Sequence, residues 1–312
     1  MVSEHLIYFF VSVIFLALSG VFLAKSLSKI AKHFGISEFA AAFLIMGFAT
    51  SLPEIFVGIS SSIQGKSVLG IGNIFGSNMI DLILALGIFV ILAKGIKIKD
   101  KREDKDVHYM IIGMILILIL FLIGNSLSRI DGIILIIFFV VSTIFLFKRK
   151  KKNKKLKIKT LERKRFISAV IIFIISLAVL LIASFYTVKY ASLIAVDFEI
   201  SDIILGLFLI SFATSLPEII FGIDAILLKK EIMSLGDQTG GVFIKMTFLL
   251  GIMALISPII LPAKTFLIPL VPLILGAFIF SYFLKSDRYL SVKEGVYLIL
   301  FYLFFLIIQF LF

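Results

Sequence analysis

The 312-residue chain is 61% hydrophobic with a mean hydropathy of +1.19, more apolar surface than a soluble domain can hide and suited to a lipid bilayer. Only 16% of its residues are charged yet the net charge is +12, so the basic residues gather in a few connections, where they orient a membrane protein rather than bind nucleic acid. Cysteine is absent, which excludes disulfides and thiolate metal sites, and the three histidines (His5, His33 and His108) fall near segment ends as interfacial polar groups.

Apolar stretches long enough to span a bilayer run over 6–24, 37–64, 67–93, 108–124, 129–147, 167–186, 200–228, 232–256, 265–284 and 292–311. The first lacks a basic leader and reads as a span rather than a cleavable signal. The ninth follows Pro262 and contains Pro269 and Pro272, which predicts a bend. Placing the amino terminus outside assigns 26 of the 31 Lys and Arg residues to cytoplasmic connections. Lys66, Arg129, Lys189 and Lys264 are then outside and Lys245 lies within a span. That asymmetry predicts ten transmembrane helices with both termini outside.

The segment 148–166 carries twelve of the basic residues and reads as a solvated cytoplasmic linker, with lipid or regulatory binding as its other reading. It separates a first five-helix repeat, 1–147, from a second, 167–312. Five is odd, so the second set enters the membrane in the opposite sense, and the repeats are inverted. The expected fold is an all-α polytopic membrane protein.

The duplication is visible residue by residue. Phe-Ala-Thr-Ser-Leu-Pro-Glu-Ile occurs at Phe48–Ile55 and again at Phe212–Ile219, and at a constant offset of 164 the halves align without a gap from Phe34 to Gly87. Ser37 and Ser201, each followed by an acid, read as helix N-caps. Gly72, Gly76 and Gly87 match Gly236, Gly240 and Gly251.

Proline and glutamate are both costly in the middle of an apolar helix, and an ionisable residue at membrane depth marks a functional site. In a continuous helix Pro53 would free the carbonyl of Ala49, and Pro217 that of Ala213. Thr50 and Glu54 share a helix face, as do Thr214 and Glu218. Each repeat thus offers a carboxylate, hydroxyls from Thr50 and Ser51 or Thr214 and Ser215, and loosened carbonyls, all hard oxygen ligands. Brought together they suit calcium, which takes six to eight oxygens in irregular geometry. The alternative is a pair of proline kinks whose glutamates are neutralised by protonation. The Gly-rich segments Gly70–Gly76 and Gly236–Gly241 allow close helix packing and would carry Asn73, Ser77 and Asp81 towards the glutamates.

These motifs resemble the sodium/calcium exchanger (cation/calcium antiporter) superfamily of prokaryotic type. Its Thr-Ser-Leu-Pro-Glu core is present twice, and its Gly-Asn-x-x-Gly-Ser-Asn segment is matched by Gly72–Asn78 but diverges at Gly236–Val242. The resemblance implies that Glu54, Glu218, Thr50 and Thr214 ligate the metal, calcium in alternation with sodium. It implies that Ser51, Ser77, Ser215 and the carbonyls of Gly47 and Ser211 line flanking sodium sites. Asp81 and Lys245 stand where relatives commonly place Asn or Asp. Lys245 is equivalent to Asp81 in the repeat, so the two would meet near the midplane, as a structural pair or with the ammonium as a tethered cation. Gly241 replaces a serine hydroxyl, and Asp237 replaces an asparagine.

The implied function is a secondary antiporter moving calcium against sodium by alternating access, in a prokaryotic plasma membrane. Coupling to protons and a non-transporting cation-binding relative are the alternatives. An intramembrane aspartyl protease using Asp81 and Asp237 would leave the duplicated glutamates unexplained. No enzymatic activity, cofactor, nucleic acid or protein partner is expected beyond the transported ions and the bilayer.

Overall fold

The structure, a computed structural model, describes residues 2–33, 47–98, 103–150, 163–286 and 288–311. The first repeat comprises α1 (Val2–His33), α2 (Gly47–Thr50), α3 (Leu52–Ile63), α4 (Ser67–Leu92), β1 (Ile96–Lys97), α5 (Glu103–Gly124) and α6 (Arg129–Lys150). The second comprises α7 (Arg163–Asp197), α8 (Asp202–Thr214), α9 (Leu216–Leu227), α10 (Glu231–Ile256), α11 (Ala263–Ser286), β2 (Tyr289–Leu290) and α12 (Val292–Leu311).

Among the described residues, eight helices are long and apolar enough to cross a membrane, and α8 with α9, bent by 41° at their junction, makes a ninth. Of the remaining expected span, 37–64, residues 37–46 lie outside the described residues and the rest forms α2 and α3. Ser37 and positions 151–162 of the linker also lie outside them. Ser201 precedes α8 with extended dihedrals of −67° and 143°, as an N-cap should, but its side chain makes no capping hydrogen bond.

Two helices are longer than expected from hydropathy. α1 continues to His33 and α7 to Asp197, well past the anticipated ends at 24 and 186. At about 1.5 Å per residue, 32 and 35 residues reach roughly 48 and 52 Å, well beyond a hydrocarbon core of about 30 Å. The start of α1 holds the extended end of α7. His5 Nδ1 lies 2.6 Å from Asp197 Oδ2, Tyr8 stacks on Tyr190 with centroids 5.1 Å apart, and Thr187 donates to Ser12 at 3.1 Å. α11 passes through Pro269 and Pro272 as one helix.

The centre of the molecule is α4 and α10, whose apolar stretches are 83% and 78% buried against 22–50% for the other single-helix spans. The outer helices turn Ile, Leu, Phe and Val outward, the arrangement expected of a lipid-facing surface. The backbone departs from regular α-helix in α4, α10 and α8, with wider π-turns at Ile80–Ala85, Lys245–Leu249 and Gly206–Ile210.

The halves are tied together symmetrically. Ile96 pairs with Leu290, and Leu127 with Ile259, so the connection after α4 meets the one before α12, and the connection after α10 meets the one before α6. Each of these contacts joins two connections expected on the same membrane side. The same is true of Lys66 with Asp202 (3.7 Å) and of Lys285 with His108 (3.1 Å). An inverted repeat produces this pattern because its two-fold lies in the membrane plane.

Candidate functional site

The motif helices break where the sequence places proline. Ser51 separates α2 from α3 and Ser215 separates α8 from α9, so Pro53 and Pro217 fall in the first turn of a new helix, where a missing N–H costs nothing. The breaks thus lie at Ser51 and Ser215, two residues before each proline, and the prolines still offer no N–H to the carbonyls of Ala49 and Ala213. The amide of Ser51 bonds the carbonyl of Gly47 at 3.2 Å, and that of Ser215 bonds the carbonyl of Ser211 at 3.0 Å. The threonine hydroxyls approach the same carbonyls, Thr50 to Gly47 at 3.5 Å and Thr214 to Ser211 at 3.2 Å. The Gly47 and Ser211 oxygens are therefore engaged at the breaks rather than loosened.

The breaks aim the glutamates inward. Carboxylate oxygens of Glu54, Asp81 and Glu218 lie within 4.8 Å of one another, and all three residues are at most 1% exposed. Lys245, fully buried, donates to Asp81 Oδ2, and its Nζ lies 3.8 Å from Glu54 Oε1. Around this core each threonine reaches the other repeat. Thr50 Oγ1 donates to Asp237 Oδ1 at 3.1 Å, and Thr214 Oγ1 donates to Asn73 Oδ1 at 3.0 Å. These two bonds are images of each other under the repeat offset.

Many buried oxygens in this region have no hydrogen-bond partner among the described residues. They include both carboxylate oxygens of Glu54 and of Glu218, Asp81 Oδ1, Asp237 Oδ2 and the hydroxyls of Ser51 and Ser215. Buried polar atoms are ordinarily satisfied, and such a concentration of bare hard oxygens suits a desolvated cation. Ser77 stands apart chemically, since its hydroxyl donates to its own helix at Ile74 O, 3.2 Å away. Ser211 Oγ likewise donates to Leu207 O. A β-carbon at Gly241 would lie 3.0 Å from Ser51 Oγ, so a serine at 241 would crowd Ser51 unless that hydroxyl moved.

Two residues escaped the sequence reading. Gln238 donates to the carbonyl of Glu218 at 3.4 Å, and its place in the divergent glycine segment was the available signal. Gly20 of α1 had none. A β-carbon there would lie 2.8 Å from Pro53 Cγ and 2.9 Å from Pro217 Cγ, so α1 crosses both breaks at once.

Fold and site together define an integral membrane protein of inverted repeats with a buried acidic centre. The family of sodium/calcium exchanger proteins matches the chain over residues 4–148 and 168–311, and the chain belongs to that family. It is 30% identical to the uncharacterized membrane protein MJ0091 of Methanocaldococcus jannaschii over 237 residues, 75% of this chain and 76% of the relative. It is 24% identical to the sodium/calcium exchanger MaX1 of Methanosarcina acetivorans, covering 99% of each chain. The sodium-calcium exchanger NCX_Mj, in crystals soaked with Na+ and Sr2+, superposes with a TM-score of 0.71 at 25% identity, covering 97% of this chain and 98% of that one. Membership makes this protein a cation/calcium antiporter of the exchanger type.

Proposed function

We propose that the protein moves calcium across the membrane in exchange for sodium, by alternating access around the central carboxylates. The observation that carries this reading is the buried convergence of Glu54, Asp81 and Glu218 oxygens within 4.8 Å, with both glutamates free of hydrogen bonds among the described residues. Glu54 and Glu218 are the central calcium ligands, and Thr50 and Thr214 complete the site from the two break points. Ser51, Ser215 and Ser77, with the carbonyls of Gly47 and Ser211, line the flanking monovalent positions. Both termini face outward and the 148–166 linker is cytoplasmic.

Alternating access is supported by the geometry of the two half-sites. Each belongs to one repeat, and the two are joined by a few polar links, the paired threonine bonds and the Lys245–Asp81 ion pair, about which the repeats can rock to open one side while the other stays closed. Coupling to protons is the second reading, favoured by the Asp81–Lys245 pair, which removes negative charge that sodium would otherwise neutralise.

Uptake of radioactive calcium into proteoliposomes, under imposed sodium or proton gradients one at a time, tests both. Flux driven by sodium alone supports the first reading and flux driven only by protons the second. Calcium binding without flux under either gradient would leave a non-transporting relative.

A further inference from the structure

Lys245 is the one basic side chain among the described residues of the buried centre, and its surroundings are those of an ion rather than of a helix clamp. Its side chain is fully buried, its ammonium donates to Asp81 Oδ2, and it also lies 3.8 Å from Glu54 Oε1. Glu218 belongs to the same carboxylate cluster. A lysine at the middle of a span costs about 2.5–3.5 kcal/mol on insertion scales, so a partner is expected. Here the ammonium is placed between carboxylates from two different helices, α3 and α4, while its own stem enters from a third, α10. Asp81 keeps its Oδ1 without a hydrogen-bond partner. The charge thus sits where a small monovalent cation would bridge the same oxygens.

We infer that Lys245 is a tethered cation, which permanently fills one monovalent-ion position of the exchange site and so reduces by one the number of mobile monovalent ions the site accepts. The inference rests on the cation-exchange reading above. Its charge balance is counted over the three clustered carboxylates, with Asp237, bound to Thr50, outside the cluster. Three ionised carboxylates and one ammonium leave a net −2 in the cluster, which one calcium ion or two monovalent cations neutralise. Without the ammonium the same carboxylates would call for a third monovalent ion. Exchange by the natural protein is then electroneutral, whereas exchange through a site lacking the lysine carries net charge.

The test counts sodium directly. Radioactive sodium binding to the purified full-length protein, by equilibrium dialysis with choline replacing sodium, should give one more bound Na+ per chain in Lys245→Asn than in the parent, whatever the parent's number. The double variant Asp81→Asn/Lys245→Asn should bind one Na+ fewer than the single variant. An equal count in parent and folded Lys245→Asn protein overturns the inference.

Should the single variant prove too unstable for dialysis, its thermal unfolding is followed in sodium and in choline chloride. A midpoint that rises more steeply with sodium concentration than the parent's supports a free ion taking the ammonium's place. Loss of stability that sodium restores no better than choline overturns it, because a lysine that only joined helices has no ionic substitute. Calcium flux by the parent keeps the two claims separate. A parent that neither binds nor moves calcium defeats the exchange reading, whereas a calcium-transporting parent whose sodium count is unmoved by Lys245→Asn defeats only the tethered cation.

Discussion

Asp81 and Lys245 are 164 residues apart, the offset that relates the two repeats, and their side chains form a buried ion pair. Each occupies the other's position under the pseudo-two-fold, so the pair lies on the axis itself. A perfectly symmetric protein would put two like side chains there, and two close carboxylates or two ammonium groups repel. Divergence of the second repeat turns that contact into an attractive one. Thr50 with Asp237 and Thr214 with Asn73 retain the symmetric arrangement off the axis, where like residues never face each other.

Glu54→Gln and Glu218→Gln should each reduce calcium flux by at least about tenfold, because losing an anionic ligand removes charge that replaces calcium's hydration shell, and tenfold corresponds to only about 1.4 kcal/mol. Folding should survive, since glutamine keeps the shape and relieves an uncompensated charge. Proteoliposome uptake beside a size-exclusion profile checks this, and wild-type flux in either variant would remove the glutamate from the site.

In sodium-free buffer, Lys245→Met should destabilise the protein by about 3–5 kcal/mol, the usual consequence of leaving a buried charge unpaired. Combining it with Asp81→Asn should recover a substantial part of that loss. A thermal-unfolding double-mutant cycle reads the coupling, and additive losses would mean that the two side chains act independently.

Thr50→Val should destabilise more than Thr214→Val. Thr50 donates to a carboxylate at 3.1 Å and Thr214 to a neutral amide oxygen at 3.0 Å, and bonds to charged groups contribute about 1.5–3 kcal/mol against about 0.5–1.5 for neutral ones. Unfolding midpoints of the two variants under one buffer decide the order, and calcium affinity should fall in both.

Gly20→Val should impair transport strongly while leaving the carboxylates untouched. The added side chain would meet Pro53 and Pro217 within 3 Å, forcing α1 away from both breaks. Flux should drop by about tenfold or more, with Gly20→Ala intermediate. Full flux in Gly20→Val would show that α1 need not sit tightly against the breaks.

Single cysteines at Lys66 and Lys94 should label from opposite sides, Lys66→Cys from outside and Lys94→Cys from the cytoplasm, with Asn153→Cys following Lys94→Cys. Impermeant maleimide on intact cells and inverted vesicles reads the topology. Labelling of Asn153→Cys from outside would reverse the orientation.

Much was legible from the chain alone, and for a physical reason. A bilayer penalises every charged or helix-breaking residue, so the few that persist in apolar stretches stand out. The two Thr-Ser-Leu-Pro-Glu cores, their offset of 164 and the gathering of basic residues into alternate connections are linear properties of the chain. From them came the membrane class, the repeat and the glutamates. Hydropathy failed at the far end of α7, because interhelical bonds such as His5 with Asp197 stabilise polar turns that a window average discards, and it also stopped short of the end of α1 at His33. It also could not tell a proline that kinks a helix from one that begins another, since that depends on whether the backbone before it breaks.

What tertiary structure decided is what the repeat offset cannot encode. It set the 3.8 Å approach of Lys245 to Glu54, the engagement of the Gly47 and Ser211 carbonyls, and the crossing of Gly20 over both prolines. The sequence by itself determined which residues are intolerable in lipid unless they meet a partner. Folding decided which partner each one met, because contacts between distant segments depend on packing in three dimensions rather than on spacing along the chain.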